Sequence, residues 1–499
     1  MTQVTSSDHH LNQAARSEFL RAYPSYETTR GLDELREREY GRLDATGQVY
    51  LDYTGGGLYA ESQLRDHVNL LARNVFGNPH SNNPTSRAMT CLIDDARRTI
   101  LEYFNAAPGE YVVIFTTNAS NALKLVGESY PFEPGGRYLL TFDNHNSVNG
   151  IREFARHSGA TFTYAPVIAP ELRLDMDRLK VELNSPGSSA ANLFAFPAQS
   201  NFSGVQHPLE LIAYAHERGW DVLVDAAAFA PSNRLDLARW QPDFVPLSFY
   251  KMFGYPTGMG GLLARREALS KLKRPWYAGG TITISSVQGD GHYLIPGEAG
   301  FEDGTVNYLN IPAVEIGLRH LAATGIDQIH ERVMCLTGWL IDNLSALRHQ
   351  SGQPLVKIHG PRNLIARGGT VTMTFFDRDG RALDDRRIEE LANHLRISLR
   401  TGCFCNPGAG EVAHGLGPEV MRTFFTSTTP LSFQELRREM QSHFGRDVSA
   451  VRISVGVASN FEDVDAFIRF AAGLLNHTVE EIGEVEVTDP EHTMDRDSA

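Results

Sequence analysis

The sequence predicts an α/β fold, a doubly wound and mostly parallel sheet between helices, followed by a smaller α+β domain. Two observations carry this prediction. From about residue 111 to 265, short apolar runs alternate with amphipathic stretches, whereas beyond about residue 312 long amphipathic stretches are followed by β-rich runs. The first pattern is typical of parallel strands that helices cover on both faces, and the second is typical of an α+β unit.

The predicted strands of the first region are nearly continuous in apolar residues. They are YVVIFT (111–116), RYLLTF (137–142), ANLFAFP (191–197), DVLVDAA (221–227) and DFVPLSF (243–249). Helix-like segments follow three of them, SNALKLVGESY, SVNGIREFARH and HPLELIAYAHERG. Strand and helix in repeated alternation indicate a parallel sheet, whose strands end at one common edge.

Changes of pattern divide the chain into four predicted parts. These are a helical N-terminal segment (1–45), a large domain (46–311), a small C-terminal domain (312–479) and an acidic tail (480–499). We expect the tail to be disordered, because acidic residues dominate it and apolar residues are few.

The composition is that of an ordinary globular protein without a broad basic surface. Of 499 residues, 42% are hydrophobic and 21% are charged, and the net charge is −14. We therefore expect neither nucleic acid nor a membrane as a partner. The polar N-terminus has no apolar signal core and the cysteines number only four, which favours a cytoplasmic location.

One lysine has unusual neighbours, in the stretch SFYKMFGYPTGMGG at 248–261. Lys251 follows one predicted strand and Asp225 ends another, so both reach the same edge of the sheet. Such a pair suits pyridoxal phosphate, because the carboxylate keeps the pyridine nitrogen protonated and the lysine forms a Schiff base. The alternative is structural, with Asp225 capping a helix and Lys251 reaching solvent.

Further polar residues follow the other strands. Asn118, Ala119 and Ser120 stand at a predicted helix start, where free N–H groups suit a phosphate, although an ordinary N-cap has the same pattern. His145 suits stacking on a cofactor ring, and Asn201 suits donation to its phenolic oxygen. Either residue alone is equally compatible with a turn.

The second half contributes the stretch RTGCFCNPGAG at 400–410. Arg400 and Arg452 suit a substrate carboxylate, which a guanidinium binds through two parallel hydrogen bonds. Cys403 and Cys405 lie in a loop near positive charge, which favours the reactive thiolate. The alternatives are a loop without function or half of a metal site. No second ligand pair follows at suitable spacing, so we predict no metal.

Together these stretches resemble the class V aminotransferase branch of the fold-type I pyridoxal phosphate enzymes, which includes the cysteine desulfurases. Within it, the chain is similar to the desulfurase domain of molybdenum cofactor sulfurases. The resemblance runs from about 50 to 457 and rests on YLDYTGGGLY, GNPHSNNPTS, DNHNSVNGIREFA, NLFAFPAQSNFSG, VDAAAFAPSNRLDL, SFYKMFGYPTGMGGLL, FEDGTVNYL and RTGCFCNPGA. It implies a seven-stranded, mostly parallel sheet, pyridoxal 5'-phosphate as cofactor, an amino-acid substrate and a homodimer.

The resemblance also implies a role for each matching residue. It gives the cofactor a covalent anchor, a carboxylate on the ring nitrogen, a stacking residue, a ligand of the ring hydroxyl, and phosphate-end residues. In that order these are Lys251, Asp225, His145 and Asn201, and the residues at the phosphate are Ala119, Ser120 and Ser248. Asn118 and Tyr250 are also predicted to bind the cofactor, and Gly280 and Thr281 would approach the phosphate from a second subunit. Arg452 and Arg400 would hold the substrate, and Cys405 would take its sulfur as a persulfide.

We therefore predict a pyridoxal phosphate-dependent cysteine desulfurase or sulfurtransferase-like enzyme that acts on L-cysteine or a related amino acid. Lys251, Cys405 and His145 are the predicted catalytic residues. Gly410 stands where the sulfurases carry a third cysteine, so the acceptor, a protein or a small molecule, stays open. The alternatives are a C–S lyase or aminotransferase-like enzyme of specialised metabolism, and a scaffold without cofactor.

Overall fold

The structure is a computed structural model that describes residues 6–425, 432–444 and 448–485. Within these residues the strands form one sheet of seven strands, one of four and three of two. The strands are β1 (Val49–Tyr50), β2 (Tyr111–Thr116), β3 (Arg137–Thr141), β4 (Thr161–Ala165), β5 (Val167–Ile168), β6 (Arg173–Leu174), β7 (Asn192–Pro197), β8 (Asp221–Asp225), β9 (Phe244–Ser248), β10 (Gly260–Arg265), β11 (Ile282–Ser286), β12 (Gly291–Leu294), β13 (Val356–His359), β14 (Thr370–Phe375), β15 (Ile397–Ser398), β16 (Arg400–Gly402) and β17 (Ala450–Ser454).

Helices precede, separate and follow these strands, and two short 3-10 segments lie at Pro24–Thr29 and Glu298–Phe301. The α-helices are α1 (Ser6–Ala22), α2 (Gly31–Glu39), α3 (Arg42–Thr46), α4 (Glu61–Ala72), α5 (Pro84–Tyr103), α6 (Ala119–Ser129), α7 (Asn146–Asn149), α8 (Ile151–His157), α9 (Met176–Leu183), α10 (Leu211–His216), α11 (Leu237–Trp240), α12 (Phe249–Phe253), α13 (Arg266–Lys271), α14 (Ile311–Thr324), α15 (Ile326–Ala346), α16 (Asp385–His394), α17 (Pro407–His414), α18 (Pro418–Phe424), α19 (Phe433–Phe444), α20 (Phe461–Ala472) and α21 (Val479–Ile482). Among the residues described, none of these helices is both long and apolar enough to cross a membrane.

The seven-stranded sheet has the strand order β2-β10-β9-β8-β7-β3-β4. Its strands run parallel except β10, which is antiparallel to both of its neighbours, β2 and β9. Every residue of β7 and β8 is buried, because apolar layers cover both faces of the sheet. This explains the nearly unbroken apolar runs in the sequence. The predicted α/β fold with a mostly parallel seven-stranded sheet is confirmed.

The carboxyl ends of the parallel strands meet at one edge of this sheet, where open α/β sheets bind their ligands. At that edge β2 leads into α6, β3 into α7 and β9 into α12. The helix starts and the strand ends therefore converge on one side of the molecule, where the predicted site residues stand.

The last part of the chain forms an antiparallel four-stranded sheet in the order β13-β14-β17-β16. The long helix α15 packs against β13 and β14, and against α20. Helix α14 begins at Ile311 and packs against α4 and α5. The division of the chain at residue 312 stays a prediction.

The N-terminal helices pack onto this last part of the chain. Phe19 of α1 is fully buried, and its ring contacts the rings of Tyr26, Trp339 and Phe461. Arg332 of α15, only 1% exposed, donates from Nε and Nη2 to the hydroxyl and carbonyl oxygens of Thr29, both at 2.7 Å. A buried arginine thus connects the N-terminal segment to α15.

Replacing Arg332 with alanine is expected to lower the free energy of unfolding by about 3 kcal/mol, because the buried carbonyl of Thr29 loses its donor. Urea denaturation followed by circular dichroism measures the change. The matched control is Arg234→Ala, which removes an exposed ion pair with Asp327 and is expected to cost about 1 kcal/mol or less. Equal losses in the two variants would contradict the proposed role of Arg332.

The predicted acidic tail begins later than the sequence suggests. Glu480 lies in helix α21, whose first turn is capped by Thr478, and its carboxylate pairs with Arg381 at 2.6 Å. A prediction from composition alone misses this pairing, because Arg381 is 99 residues away in the chain. The remainder of the predicted tail, 486–499, lies outside the described residues.

Candidate active site

A cavity of about 260 Å³ opens at the carboxyl edge of the seven-stranded sheet. The segments that follow β2, β3, β7, β8 and β9 form its walls. The lining residues are Asn118, Ala119, Ser120, Leu123, His145, Pro197, Gln199, Asn201, Asp225, Ala227, Ala228, Ser248, Tyr250 and Lys251. The sequence predicts nine of these fourteen residues as parts of a cofactor site, and the structure brings those nine together.

Lys251 lies in the short helix α12, directly after β9, and lines the cavity. Burial lowers the pKa of Lys251, Asp225 opposes this shift, and Arg452 and Arg400 lower the pKa further. Cys405 lies near enough to Lys251 to oppose the shift as well. A lowered pKa increases the neutral fraction of the amine, which is its nucleophilic form.

Asp225 is the last residue of β8 and is 7% exposed. Its Oδ1 accepts a hydrogen bond from the N–H of Ala227 at 3.0 Å, which fixes the carboxylate at the strand end. Because β8 and β9 are neighbours in the sheet, Asp225 and Lys251 stand on adjacent strand ends. The sequence predicts this pair, and both side chains line one cavity.

The start of helix α6 forms another wall of the cavity. Asn118 caps this helix, since its Oδ1 accepts from the N–H of Asn121 at 2.9 Å. The N–H of Ala119 donates to the hydroxyl of Ser248 at 2.9 Å, which connects the helix start to the end of β9. Gly260 of β10 permits this approach, because a Cβ there would lie 2.5 Å from the Asn118 Cα. The positive end of the helix dipole and the hydroxyls of Ser120 and Ser248, which line the cavity, suit a phosphate here.

His145 precedes helix α7 and lines the cavity. Its Nδ1 accepts from the N–H of Ser147 at 3.1 Å, so the neutral ring carries its proton on Nε2. Burial lowers the pKa of His145 below its usual 6.5, Asp225 opposes this shift, and Lys251 and Arg452 add to it. A neutral imidazole results near pH 7, as stacking on a ring requires.

This lowered pKa predicts a pH effect on stability. As the pH falls from about 7 through the folded pKa of His145, the unfolded chain takes up this proton first, so the wild type loses stability. The variant His145→Gln lacks the group and is expected to lose less over the same interval. Urea denaturation at several pH values between about 7 and 5 measures the difference. Identical pH profiles would show that His145 titrates as an ordinary histidine.

The loop that holds Cys405 is hydrogen-bonded to the cavity wall. Asn201 donates from Nδ2 to the carbonyl of Phe404 at 2.7 Å and accepts on Oδ1 from Asn406 at 2.8 Å. The carbonyl of Cys405 accepts at 2.7 Å from the N–H of Asn146, the residue that follows His145. Cys405 is exposed and does not itself line the cavity. Its loop is therefore fixed at the mouth of the cavity while its thiol faces solvent.

The four cysteines are free, and Cys403 is half-buried. Among residues 6–425, 432–444 and 448–485, no three His, Cys, Asp or Glu side chains come together as metal ligands. The thiols of the Cys-x-Cys stretch thus have no such ligand group around them in this part of the chain.

The two predicted substrate arginines share one carboxylate that the sequence did not single out. Arg400 and Arg452 are directly paired across β16 and β17, and Asp52 binds both of them, at 2.6 and 3.1 Å. Neither arginine lines the cavity, but Arg452 donates to the carbonyl of Asn201, which does line it, at 3.0 Å. The role of the arginines in substrate binding stays a prediction.

Gly280 and Thr281 stand apart from the cavity of their own chain. Thr281 is fully buried, and its hydroxyl donates to the carbonyl of Ala278 at 2.8 Å. Gly280, at φ +88°, lies beside Gly304. The predicted contact of these residues with a phosphate requires a second subunit and stays a prediction.

Sequence reasoning missed Gln199 and the roles of Asp52 and Ala228. Gln199 lines the cavity two residues before Asn201, and that spacing from a strand end is the signal that identifies it. Ala228 lines the cavity three residues after Asp225, where its small side chain leaves space. Asp52 gives no local signal, because its partners lie 348 and 400 residues away.

The cavity fits pyridoxal phosphate. A half-buried lysine of lowered pKa lines the same cavity as a buried carboxylate and a neutral histidine, and the start of α6 closes one end. The donors and acceptors therefore match an aldehyde, a pyridine nitrogen and a phosphate. Fold and site together define the class of pyridoxal phosphate enzymes built on a mostly parallel sheet.

The comparisons with known proteins agree with this class. The family model described as aminotransferase class-V matches residues 49–467, and the chain belongs to that family. The predicted family, and with it the predicted pyridoxal phosphate enzyme, are confirmed.

The chain is similar to curated and solved relatives of this family. It is 35% identical to the molybdenum cofactor sulfurase of Arabidopsis thaliana, over 91% of this chain and 60% of that protein. It is 34% identical to the molybdenum cofactor sulfurase of Homo sapiens, over 88% of this chain and 51% of that protein. The chain thus spans little more than half the length of these relatives. The apo cysteine desulfurase of Thermococcus onnurineus NA1 has the same fold, with a TM-score of 0.71 and 23% sequence identity. The match covers 89% of this chain and 97% of that structure.

Proposed function

We propose that this protein is a pyridoxal phosphate-dependent cysteine desulfurase that acts on L-cysteine or a related amino acid. One observation carries the proposal: Cys405 lies on a loop hydrogen-bonded to the cavity that holds Lys251 and Asp225. An exposed thiol on a loop next to the cofactor cavity is the arrangement that sulfur transfer needs. The similarity to proteins named molybdenum cofactor sulfurase supports it.

Asp225, His145 and Lys251 would have different roles at the cofactor. When bound, pyridoxal phosphate supplies an electron sink for charge that develops on the substrate. Asp225 would hold the proton on the pyridine nitrogen, and His145 would cover the ring face. The amine of Lys251 would move protons at the substrate, because its lowered pKa increases the neutral fraction that can accept one.

Cys405 would carry out the sulfur transfer. Its thiolate attacks the sulfur of the substrate, so that an S–S bond forms as the Cβ–S bond breaks. The electron pair of the broken bond stays with Cβ, which takes up a proton, and the product is alanine. Cys405 is left as a persulfide, from which a protein or small-molecule acceptor takes the sulfur.

We infer that the protein works as a homodimer in the cytoplasm. The hairpin β11–β12 directly follows Gly280 and Thr281, and a two-stranded hairpin alone is marginally stable. It exposes Ile284 and Tyr293 at 58% and 74%. A second copy of the chain would cover these apolar side chains. Gly280 of one subunit would then approach the cofactor of the other subunit. The free cysteines suit the reducing cytoplasm.

The variant Ile284→Asp/Tyr293→Asp is expected to be monomeric, because buried charge destabilises an apolar interface. Light scattering after size-exclusion chromatography measures the mass. The control is Ile168→Asp, which places one aspartate at a residue 54% exposed on another hairpin, β5–β6, and is expected to keep the mass unchanged. A wild type that elutes as a monomer would overturn the dimer.

Product analysis tests the proposed activity. The purified protein, loaded with pyridoxal phosphate, is incubated with L-cysteine, and alanine, sulfide and pyruvate are measured. Equal amounts of alanine and transferred sulfur support a desulfurase. Pyruvate and ammonia would instead identify a C–S lyase, and an absence of any product from L-cysteine would reject the proposal.

A further inference from the structure

Asp52 joins the two arginines of the predicted substrate site into one cluster. Its Oδ2 accepts from Nη2 of Arg400 at 2.6 Å, and its Oδ1 accepts from Nη2 of Arg452 at 3.1 Å. The two arginines stand directly opposite each other across β16 and β17, where like charges repel. Asp52 offsets this repulsion and leaves the cluster with one net positive charge.

Arg452 retains a donor for a further acceptor. The side chain is 3% exposed, and Nη1 already donates to the carbonyl of Asn201 at 3.0 Å. Its Nε is buried and has no hydrogen-bond partner among the residues that the structure describes. A buried guanidinium nitrogen without an acceptor is costly, so this one indicates a ligand.

A glycine turn connects this cluster to the lysine. The carbonyl of Asp52 accepts from the N–H of Gly55, and the chain passes so close that a Cβ at Gly55 would lie 2.5 Å from Nη2 of Arg400. Two residues on, the N–H of Gly57 donates to the carbonyl of Tyr250 at 3.0 Å. A Cβ at Gly57 would lie 2.9 Å from the carbonyl oxygen of Lys251. The turn therefore fixes the arginine cluster relative to Lys251.

We propose that Asp52 is a positioning residue of a subsite for a single carboxylate. It holds Arg452 and Arg400 so that their remaining donors bind the α-carboxylate of the amino-acid substrate. This inference rests on the proposed function. One net positive charge matches one carboxylate, and the turn sets the distance from that carboxylate to the α-amine at Lys251.

Ligand binding tests Asp52 separately from sulfur transfer. L-Alanine and ethylamine differ only in the carboxylate, and the visible absorbance of the loaded enzyme reports the binding of each. In Asp52→Asn the dissociation constant for L-alanine is expected to rise about tenfold, whereas that for ethylamine changes by less than about twofold. If Asp52 had a purely structural role, the variant would bind both ligands more weakly by the same factor. That result, or unchanged dissociation constants for both ligands, would overturn the proposal.

Two further variants complete the experiment. Asp463→Asn removes a carboxylate of similar burial from another buried arginine, Arg36. This variant is expected to leave the preference for L-alanine over ethylamine, the ratio of their dissociation constants, unchanged. Asp52→Glu keeps the charge but displaces it beneath Gly55, and its preference is expected to lie between those of the wild type and Asp52→Asn. If Asp52→Asn does not fold, a wild-type preference in Asp52→Glu would overturn the proposal. Sulfide release, measured separately, reports on the proposed function alone.

Discussion

Replacing Lys251 with alanine is expected to leave a folded protein that no longer holds pyridoxal phosphate covalently and is at least about 1000-fold less active. The physical reason is the position of the amine, which lines the same cavity as Asp225 and has a lowered pKa. No other lysine lines the cavity. Borohydride reduction followed by mass spectrometry of the peptide that contains residue 251 measures covalent attachment.

The matched control for this variant is Lys271→Ala. Lys271 pairs with Asp221 at 2.7 Å at the other end of β8, away from the cavity. We expect this variant to keep the cofactor and its visible absorbance. If Lys251→Ala still retained covalently bound cofactor after reduction, the assignment of Lys251 as the attachment site would be wrong. A wild-type protein that binds no pyridoxal phosphate would instead favour the scaffold alternative.

Replacing Cys405 with alanine is expected to lower alanine and sulfide production from L-cysteine by at least about 100-fold, because its exposed thiol is the proposed sulfur carrier. Cofactor binding is expected to remain as in the wild type, since the Cys405 side chain does not line the cavity. Mass spectrometry of the wild type after a short incubation with L-cysteine is expected to show one added sulfur atom on the peptide that contains Cys405.

Two cysteines serve as controls for this prediction. Cys403 is two residues away and half-buried, and Cys91 is exposed on helix α5. We expect Cys403→Ala and Cys91→Ala to retain most of the activity. Unchanged activity in Cys405→Ala, or a persulfide found on Cys403 instead, would reject the assignment of the sulfur carrier.

The sheet and most of the cavity can be predicted from the sequence because their signals are local. A strand buried on both faces must be apolar throughout, and the residue after its last apolar position lies at the ligand edge. Asp225 and His145 are predicted on this ground, whereas for Lys251 the unusual neighbours Tyr250 and Met252 add a second signal.

Other features depend on contacts between distant parts of the chain and leave no local signal. Asp52 follows a strand of only two residues, and both arginines that it binds come from the last part of the chain. Glu480 stands in an acidic stretch, yet it is held by Arg381. In each case an arginine far away in the sequence holds the carboxylate, and the neighbouring residues do not predict the contact.

The two sheets contribute different halves of the site, and this division bears on how the enzyme can change. Residues at the ends of the seven-stranded sheet line the cavity, whereas Arg400, Arg452 and the Cys405 loop come from β16, β17 and the segment between them. Under the proposed roles of Arg400, Arg452 and Cys405, mutations in the four-stranded sheet are expected to alter the substrate or the sulfur acceptor while cofactor binding is retained. Directed evolution toward new amino acids would best begin with the segment 400–410 and leave the strand ends untouched.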